Sequence, residues 1–185
     1  MLVPAGAAGP GFSLHTQVPV LDCHRSAFTL YFSARDAQGR SLPFATELLR
    51  SGSGFSGSGR ARPLSLNLGA EGEFDEHGVM PTALIRRDSE IWLYYIGWSR
   101  RGDYPYTNNI GLATSADGKR WHKQGRVMFD SESLYTGTLE VVPAADGFLG
   151  YYLACDGWLP AEQDIPAEAR YCLRIAASEN GLKWR

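Results

Sequence analysis

The sequence predicts an all-β protein of the β-propeller type, with about three blades in its 185 residues. The first observation is a series of short apolar and aromatic segments separated by turn residues, with 21 Gly and 10 Pro. Such segments are typical of antiparallel strands joined by tight turns. The second observation is an internal repeat, and a repeat of one small antiparallel sheet is typical of a propeller blade.

The repeat consists of an aromatic strand, a further strand and a turn of the form Ser-x-Asp/Asn-Gly-x-x-Trp. Aromatic strands are predicted at residues 91–98 and 148–153, and the turns follow at 115–121 and 178–184. The two turns begin 63 residues apart. In each turn the Asp-Gly or Asn-Gly pair can supply the positive φ values of a tight hairpin, and we expect the Trp to fold back onto its blade. A β-sandwich also contains such hairpins, but the matched order of elements favours a repeat.

The remaining elements follow from the alternation of apolar and polar residues. We expect blade one at about residues 12–69, blade two at about 72–130 and blade three at about 134–185. A Gly- and Ser-rich stretch at 51–59 is predicted to be a flexible hairpin loop, and a short helical turn is expected only at 160–169. Further strands are predicted at residues 13–20, 28–33, 44–49, 63–68, 109–114, 126–129, 135–142 and 171–176.

Three blades cannot close a ring, since propellers usually have about 4–8 of them. The second blade continues past its Trp with a fourth strand, whereas the sequence stops one residue after Trp184. We therefore expect a propeller that is incomplete on its C-terminal side. The alternative is a complete, open β-meander that self-associates to cover its exposed edges.

Composition and charge exclude several classes of function. A net charge of −2 gives no strong field to attract nucleic acid or an anionic membrane, and Arg pairs such as Arg100-Arg101 are interpreted as solvated loop charges. No apolar run approaches the roughly 20 residues of a membrane helix. The N-terminus lacks the charged start of a signal peptide, so a cytoplasmic location is expected.

The three Cys are too widely spaced for a disulfide framework, and without HxH or CxxC spacing neither a metal nor a cofactor is expected.

Several segments resemble the five-bladed β-propellers of the glycoside hydrolase superfamily, which includes arabinanases, β-xylosidases and invertases. The similar segments are FDEHGVMP at 74–81, LYYIGW at 93–98, NNIGLATSADGKRW at 108–121 and SENGLKW at 178–184. HTQVP and FSARDAQGRS fit the first blade of the same group. The resemblance is closest to uncharacterised glycosyl hydrolase-like propellers and covers about three of the five blades. The Ser-x-Asp/Asn-Gly-x-x-Trp turn has a structural role, so the resemblance supports the fold more than the chemistry.

The resemblance implies a site in the axial funnel, built from the first strand of each blade. In the family, one carboxylic acid protonates the leaving oxygen and a second carboxylate acts as base or nucleophile. Mapped onto this chain, the expected catalytic residues are Asp75, as base or nucleophile, and Glu140, as the acid. The chain departs from the pattern on its first strand, where arabinanase-type enzymes carry an Asp and this chain has His15 and Gln17. Thr138 lies nearer than Glu140 to the expected position of the acid.

Each candidate also has a structural interpretation. Asp75 and Glu76 point to opposite faces of an extended chain, and Asp75 shares its face with His77. Arg35 either clamps an anionic group of a substrate or forms a salt-bridged turn with Asp36. Trp98, Tyr106 and Trp158 are placed in loops, where they either stack on the apolar faces of sugar rings or cap the edges of blades. The expected substrate-binding residues are His15, Gln17, Arg35, Asp36, His77, Trp98, Asn108 and Trp158.

The sequence therefore predicts a carbohydrate-active protein, glycoside hydrolase-like, that acts on a glycosidic bond with axial carboxylates. The expected partner is a small-molecule or oligosaccharide substrate. Two alternatives remain: a non-catalytic sugar-binding propeller or inactive fragment, and a propeller enzyme recruited to a natural-product or polysaccharide biosynthetic step. Two carboxylates about 5–10 Å apart across a pocket would favour hydrolysis, whereas a pocket with one carboxylate and several His or Arg groups would favour the alternatives.

Overall fold

The protein is built from β-strands. The computed structural model describes residues 3, 6–12, 15–59, 61–101, 104–130, 133–162 and 166–185. These residues include no helix, and hence none that could cross a membrane. The strands are β1 (Thr16–His24), β2 (Ala27–Arg35), β3 (Ser41–Ser51), β4 (Gly54–Gly57), β5 (Arg62–Pro63), β6 (Gly78–Arg87), β7 (Glu90–Arg101), β8 (Tyr104–Ser115), β9 (His122–Arg126), β10 (Met128–Phe129), β11 (Tyr135–Ala144), β12 (Gly147–Leu159), β13 (Glu168–Ser178) and β14 (Lys183–Trp184).

Three antiparallel meanders follow one another along the chain, and we refer to them as blades one, two and three. Blade one has the order β1-β2-β3, with the short strands β4 and β5 paired to β3. Blade two has the order β6-β7-β8-β9, and blade three has the order β11-β12-β13. Strand β10, which follows blade two, pairs in parallel with β14 after blade three. The prediction of an all-β fold of the propeller type with three blades is confirmed.

The blades pack on one another through their first strands, since β6 lies between β1 and β11 and contacts both. Between blades one and two, Arg86 donates to Asp22 through two hydrogen bonds of 2.6 and 3.1 Å. Between blades two and three, the Thr82 hydroxyl donates to the carbonyl of Leu139 at 3.1 Å and accepts from its N–H at 3.0 Å. Because one hydroxyl satisfies both backbone groups, Thr82 fixes where the first strand of blade three lies against blade two.

A β-bulge interrupts each of the three first strands close to its start. The pairing shifts at residues 17–20 of β1, at 81–83 of β6 and at 136–139 of β11. A bulge adds a residue, bends its strand and re-aims the side chains beside it. The recurrence of this irregularity supports the internal repeat that the sequence indicates.

The two Ser-x-Asp/Asn-Gly-x-x-Trp turns share their hydrogen bonds. The Ser Oγ accepts from the Gly N–H at 2.9 Å in the first copy and 2.8 Å in the second. The side-chain oxygens of Asp117 and Asn180 each accept from the two N–H groups that follow the glycine. Gly118 and Gly181 have φ values of 67° and 76°, whereas Asp117 and Asn180 do not have positive φ. The turns are therefore closed by side chains, and the two-residue hairpin expected from Asp-Gly is wrong.

The Trp of each turn packs against a Tyr of the preceding blade. Tyr31 meets Trp121 edge-on with ring centroids 5.8 Å apart, and Tyr94 meets Trp184 in the same way at 6.3 Å. None of these four residues is more than 5% exposed. Edge-to-face pairs contribute about 0.5–1.5 kcal/mol beyond the burial of their area. The prediction that both Trp residues fold back onto the sheets is confirmed.

Blade three presents the equivalent face to solvent. Tyr151 of β12 occupies the position that Tyr94 has in β7, and it is 43% exposed. The register pairs Tyr94 with Leu112 and Tyr151 with Ile175. Leu112 is buried between blades two and three, whereas Ile175 is 59% exposed. The same apolar pattern is thus buried in one copy and exposed in the next, since no further blade follows within the described residues.

Several strand predictions need correction. Strands β7 and β8 continue through the residues expected to form a polar loop, because Trp98 and Asn108 pair in the same ladder. Trp158, also expected in a loop, lies on β12. The stretch 51–59 contains β4, which pairs with β3 instead of forming a flexible loop. The outer strand of blade two is His122–Arg126 rather than 126–129.

Two further predictions concern the ends of blades one and three. Only the first residue of the predicted strand 63–68 pairs in the sheet. Leu64 and Leu66 are buried in the core between blades one and two, so their apolar spacing reports packing rather than a strand. The stretch 160–169 contains no helical turn within its described residues, and its last two residues begin β13; residues 163–165 of that stretch lie outside the described part.

Truncation of Leu112 and of its equivalent Ile175 tests the packing of the blades. Both side chains have four carbons, and both changes to Ala remove three of them. We expect Leu112→Ala to lower the free energy of unfolding by about 2–5 kcal/mol, because it leaves a cavity. Ile175→Ala should change it by about 0.5 kcal/mol, because the side chain is exposed. Urea denaturation measures both values, and an equal, large loss would mean that the outer face of blade three is covered in solution.

Candidate functional site

A cavity of about 470 Å³ opens between blades two and three, at the end of the sheets where their first strands begin. A volume of this size is typical of small-molecule sites. Strand β6 contributes one lining residue and β11 contributes two, and the others lie on β2, β7, β8, β12 and β13. The lining residues are Arg35, Met80, Ile96, Trp98, Arg100, Pro105, Tyr106, Asn108, Gly137, Thr138, Leu153 and Tyr171.

Two arginines and one indole form the positively charged part of the lining. The guanidinium carbon of Arg35 lies 5.7 Å from the centre of the Trp98 ring, and that of Arg100 lies 5.5 Å from it. Cation–π contacts of this kind contribute about 0.5–2 kcal/mol. Neither guanidinium forms an ion pair with a carboxylate of the described residues, and Arg35 Nε is buried without a hydrogen-bond partner there. This charge is therefore not neutralised by the described chain.

Carboxylates are absent from the described lining of the cavity. The described chain also contains no group of three or more His, Cys, Asp or Glu side chains that could hold a metal ion. Hydrolysis of a glycosidic bond ordinarily uses two carboxyl groups on either side of the bond. The described lining alone does not provide that pair.

The remaining polar lining is built on β8 and β13. Tyr106 and Asn108 are two residues apart on β8 and share a face of the strand. Asn108 Nδ2 donates to the Tyr171 hydroxyl at 3.2 Å. Burial, together with a hydrogen bond to Tyr106, raises the pKa of Tyr171, so its phenol stays protonated at neutral pH. Trp158 packs edge-on against Tyr106 with ring centroids 5.0 Å apart, and it supports the lining from outside.

The position of Trp98 depends on the residues that begin β6. A Cβ atom at Gly78 would overlap the Trp98 indole, so only glycine allows the ring to lie against this backbone. The His77 ring packs on the same indole, with centroids 5.8 Å apart. His77 Nδ1 also accepts from the backbone N–H of Arg100 at 3.4 Å. His77 and Gly78 therefore hold both Trp98 and the start of the Arg100 side chain in place.

Six of the eight predicted substrate-binding residues lie in or beside the cavity. Arg35, Trp98 and Asn108 line it. Gln17, on the first strand of blade one, donates from Nε2 to the Met80 sulfur at 3.3 Å and so contacts the lining from behind. The residues that contact the lining without forming it are Gln17, His77 and Trp158.

The other two residues belong to backbone structure. His15 is exposed, and its carbonyl accepts from the Arg35 N–H at 3.3 Å. The Asp36 carboxylate accepts from the N–H groups of Gln38 and Arg40 and pairs with the Arg40 guanidinium at 2.8 Å. Desolvation opposes the ionisation of Asp36, but these hydrogen bonds and the Arg40 charge lower its pKa below the ordinary value. The expected salt bridge between Arg35 and Asp36 is wrong, because Arg40 takes that carboxylate.

Glu140 does not line the cavity, although Thr138 two residues earlier does. It lies past the bulge of β11, opposite Tyr151 in the ladder, on the side of blade three that is exposed. Loss of solvent around its carboxyl raises the pKa of Glu140 above its ordinary value. Its role as an acid catalyst stays a prediction.

Asp75 lies away from the cavity, against β7 and β9 of blade two. It is 2% exposed, accepts from the Tyr95 hydroxyl at 3.0 Å and forms an ion pair with Lys123 Nζ at 2.6 Å. Burial and then the Asp75 charge raise the pKa of Tyr95, so the phenol remains a donor. These contacts are those of a structural ion pair whose carboxylate is buried. The catalytic role of Asp75 stays a prediction, and this placement does not favour it.

Arg100 and Tyr171 are two of the lining residues that the predicted set did not include. Arg100 is exposed, as its interpretation as a solvated charge expects, but it lies on β7 rather than in a loop and lines the cavity beside Trp98. Trp98 and Arg100 are two residues apart on β7, so extending the predicted strand by three residues would have placed them on one face. Tyr171 begins a predicted strand, but only its hydrogen bond to Asn108, 63 residues away, identifies it with the cavity.

Two curated proteins of Mycobacterium tuberculosis, both described as uncharacterized, are 30% identical to this chain over 175 residues. The match covers 92% of this chain and 57% of theirs. The chain thus spans somewhat more than half the length of the curated relatives it matches. No protein-family model matches the sequence.

The fold is shared with solved glycoside hydrolases. A family 117 glycoside hydrolase of the marine bacterium Zobellia galactanivorans matches with a TM-score of 0.67 and 12% identity, over 100% of this chain and 60% of that one. An alpha-L-arabinofuranosidase of Lactobacillus brevis matches with a TM-score of 0.61 and 14% identity, over 89% and 53%. A glycosyl hydrolase of Bacteroides ovatus matches with a TM-score of 0.64 and 14% identity, over 94% and 49%. The chain therefore has the β-propeller fold found in these glycoside hydrolases.

Replacement of Asp75 distinguishes a structural from a catalytic carboxylate. We expect Asp75→Asn to lower the free energy of unfolding by about 1–3 kcal/mol, because it weakens the charge-assisted hydrogen bonds that Tyr95 and Lys123 donate to a buried carboxylate. Asp88→Asn is the matched control, because the Asp88 side chain is 91% exposed, and it should change stability by about 0.5 kcal/mol or less. Equal stability of the two variants in urea denaturation would contradict the structural role of Asp75.

Proposed function

We propose that this protein binds a saccharide in the cavity between blades two and three, as part of a carbohydrate-active propeller of the glycoside hydrolase type. One observation carries the proposal: an aromatic and hydrogen-bonding cavity lies where the first strands begin, in a fold whose solved examples include glycoside hydrolases. Ligand sites in many folds combine apolar walls with a few fixed polar groups. The partner proposed on this basis is an oligosaccharide or a glycosylated small molecule.

The lining suits the two kinds of surface that a sugar ring has. The C–H groups of a pyranose form an apolar face, and Tyr106 offers a partly exposed ring beside the buried indole of Trp98. The hydroxyl groups of a sugar need both donors and acceptors. Asn108 supplies both in one side chain, and Thr138 and Tyr171 supply hydroxyls. A saccharide can therefore exchange its hydration for contacts that the cavity already provides.

Hydrolysis of a glycosidic bond is the second candidate function, and Glu140 is the observation that favours it. Glu140 lies on the first strand of blade three, and its pKa is raised by desolvation. A raised pKa shifts the carboxyl toward the protonated form that a general acid requires. Since Asp75 is paired with Lys123, the proposal needs a second carboxyl group from outside the described lining.

Alanine substitutions in the lining test saccharide binding. Tyr106→Ala and Asn108→Ala should each weaken the affinity for a bound oligosaccharide by about three- to tenfold, because they remove an aromatic contact and a hydrogen bond. Tyr151→Ala is the control, since Tyr151 is also an exposed tyrosine but lies outside the cavity. Isothermal titration calorimetry against an array-selected oligosaccharide measures the effect. Equal affinities for all three variants and the unaltered protein would place the binding site elsewhere.

A pH profile with Glu140→Gln tests hydrolysis. If Glu140 is the acid, turnover should be present below its raised pKa and decline as the pH rises through it, because the deprotonated carboxylate cannot donate. Glu140→Gln should lower kcat by at least about 100-fold with little change in binding affinity. Turnover that is unchanged in this variant would exclude Glu140 from the reaction.

A further inference from the structure

We propose that the saccharide bound in this cavity is acidic, and that Arg35 and Arg100 bind its oxyanion, a carboxylate or a sulfate group. The inference rests on the proposed saccharide-binding function and adds the charge of the ligand to it. The ligand class is thus an oligosaccharide that carries uronic acid or sulfated residues.

The charge of the cavity lining is unbalanced. Both guanidinium groups lie within 6 Å of the centre of one indole ring, and the described lining contains no Asp or Glu. The carboxylate next to Arg35 in sequence, that of Asp36, is bonded to Arg40. Like charges that line one cavity repel one another. An anion bound in the cavity would be attracted by both guanidinium groups.

The donor geometry of arginine also suits an oxyanion. A guanidinium group presents a planar fork of N–H donors that matches the two oxygens of a carboxylate or sulfate. Arg35 Nε is buried and has no hydrogen-bond partner among the described residues. A buried donor without a partner is costly, and a ligand oxyanion at this edge of the guanidinium would satisfy it.

Both arginines are already held in place by other contacts. The Arg35 backbone N–H donates to the His15 carbonyl, and the Arg100 backbone N–H donates to His77 Nδ1. The indole of Trp98, which is only 7% exposed, contacts both guanidinium groups. Side chains that are ordered before binding lose less conformational entropy when the ligand arrives. The indole therefore restrains both guanidinium groups before a ligand binds.

The charge of the two arginines also allows the cavity to discriminate between acidic and neutral saccharides. A neutral saccharide can use Asn108 and Tyr171, but it leaves both guanidinium charges of the cavity without a counterion. Specificity is a difference between affinities, and an uncompensated charge in the wrong complex contributes to it. We therefore expect acidic saccharides to be favoured over neutral ones of the same size and linkage.

The test compares matched ligands by isothermal titration calorimetry. The probes are galacturonate oligosaccharides, the same oligosaccharides after reduction of their carboxyl groups, and sulfated galactan oligosaccharides, followed by a glycan array with carboxylated, sulfated and neutral members. An acidic ligand should bind at least about tenfold more tightly than its neutral counterpart. Its affinity should fall as the salt concentration rises, whereas that of a neutral ligand should not. The carboxylated and sulfated series distinguish the two sources of the oxyanion.

Substitutions connect the effect to the two arginines. Arg35→Gln and Arg100→Gln should each weaken binding of the acidic ligand about tenfold or more and reduce its salt dependence. Arg35→Lys keeps the charge but loses the planar fork, so an intermediate loss is expected. Arg50→Gln removes an equal charge from an exposed position on β3 and should leave the affinity unchanged. Thermal unfolding confirms that each variant is folded. The salt dependence of binding is measured on the unaltered protein, so this part of the test does not depend on the folding of a variant.

The outcomes separate this inference from the proposed function. Equal, salt-independent binding of acidic and neutral saccharides at the cavity would overturn the inference and leave the saccharide site in place. Binding of an acidic ligand that Arg35→Gln and Arg100→Gln do not weaken would also overturn it. Absence of binding to every member of the array would contradict the proposed function itself, and the inference with it.

Discussion

The packing of a turn Trp against a Tyr of the preceding blade is the contact on which the arrangement of the blades depends. The same edge-on pair joins blade one to blade two through Tyr31 and Trp121, and blade two to blade three through Tyr94 and Trp184. Each Trp is anchored in turn, because its indole N–H donates to the carbonyl of the glycine three residues earlier. The same unit thus recurs between successive blades. Side chains close the turn, the Trp of the turn packs on a Tyr, and this packing determines the spacing between the blades.

This packing also determines where the sheets leave space. The Trp-bearing turns, together with the ion pair of Asp22 and Arg86, fill the region between the blades at one end of the first strands. At the other end, blades two and three are joined by contacts such as Thr82 with Leu139 and by the edge-on pair of Tyr106 and Trp158. The cavity opens at that end, where the bulge of β11 turns Thr138 into the lining. The recess is therefore bordered by both aromatic and cationic side chains.

Much of the fold could be predicted from the sequence, because its repeat carries a physical mechanism. The Ser, Gly and Trp of the turn have fixed roles in hydrogen bonding, positive φ and burial, so their recurrence identified the blades. The ends of the strands could not be predicted in the same way. Near the cavity, Trp98, Arg100 and Asn108 interrupt the apolar alternation, because they face a recess rather than the core. A strand that contributes to a polar site has the sequence pattern of a loop at that point.

The residues of the candidate site could also be predicted only in part. Arg35, Trp98 and Asn108 were recognisable as polar or aromatic residues at strand ends, and they line the cavity. Asp75 was not distinguishable from a catalytic carboxylate, since its partner Lys123 lies 48 residues away on the outer strand of blade two. The position of a carboxylate in sequence reports its strand, but its chemistry depends on whether a cation from another strand is buried with it.

The most direct test of the saccharide site is an NMR titration that follows the indole N–H signals of the five Trp residues as an oligosaccharide is added. Trp98 lines the cavity and Trp158 packs against its lining, whereas Trp92, Trp121 and Trp184 lie at the opposite end of the strands or in the turns. We predict that the Trp98 signal moves most and that of Trp158 less, with the same dissociation constant. Movement confined to the other three signals would contradict the central claim that the cavity between blades two and three is the saccharide site.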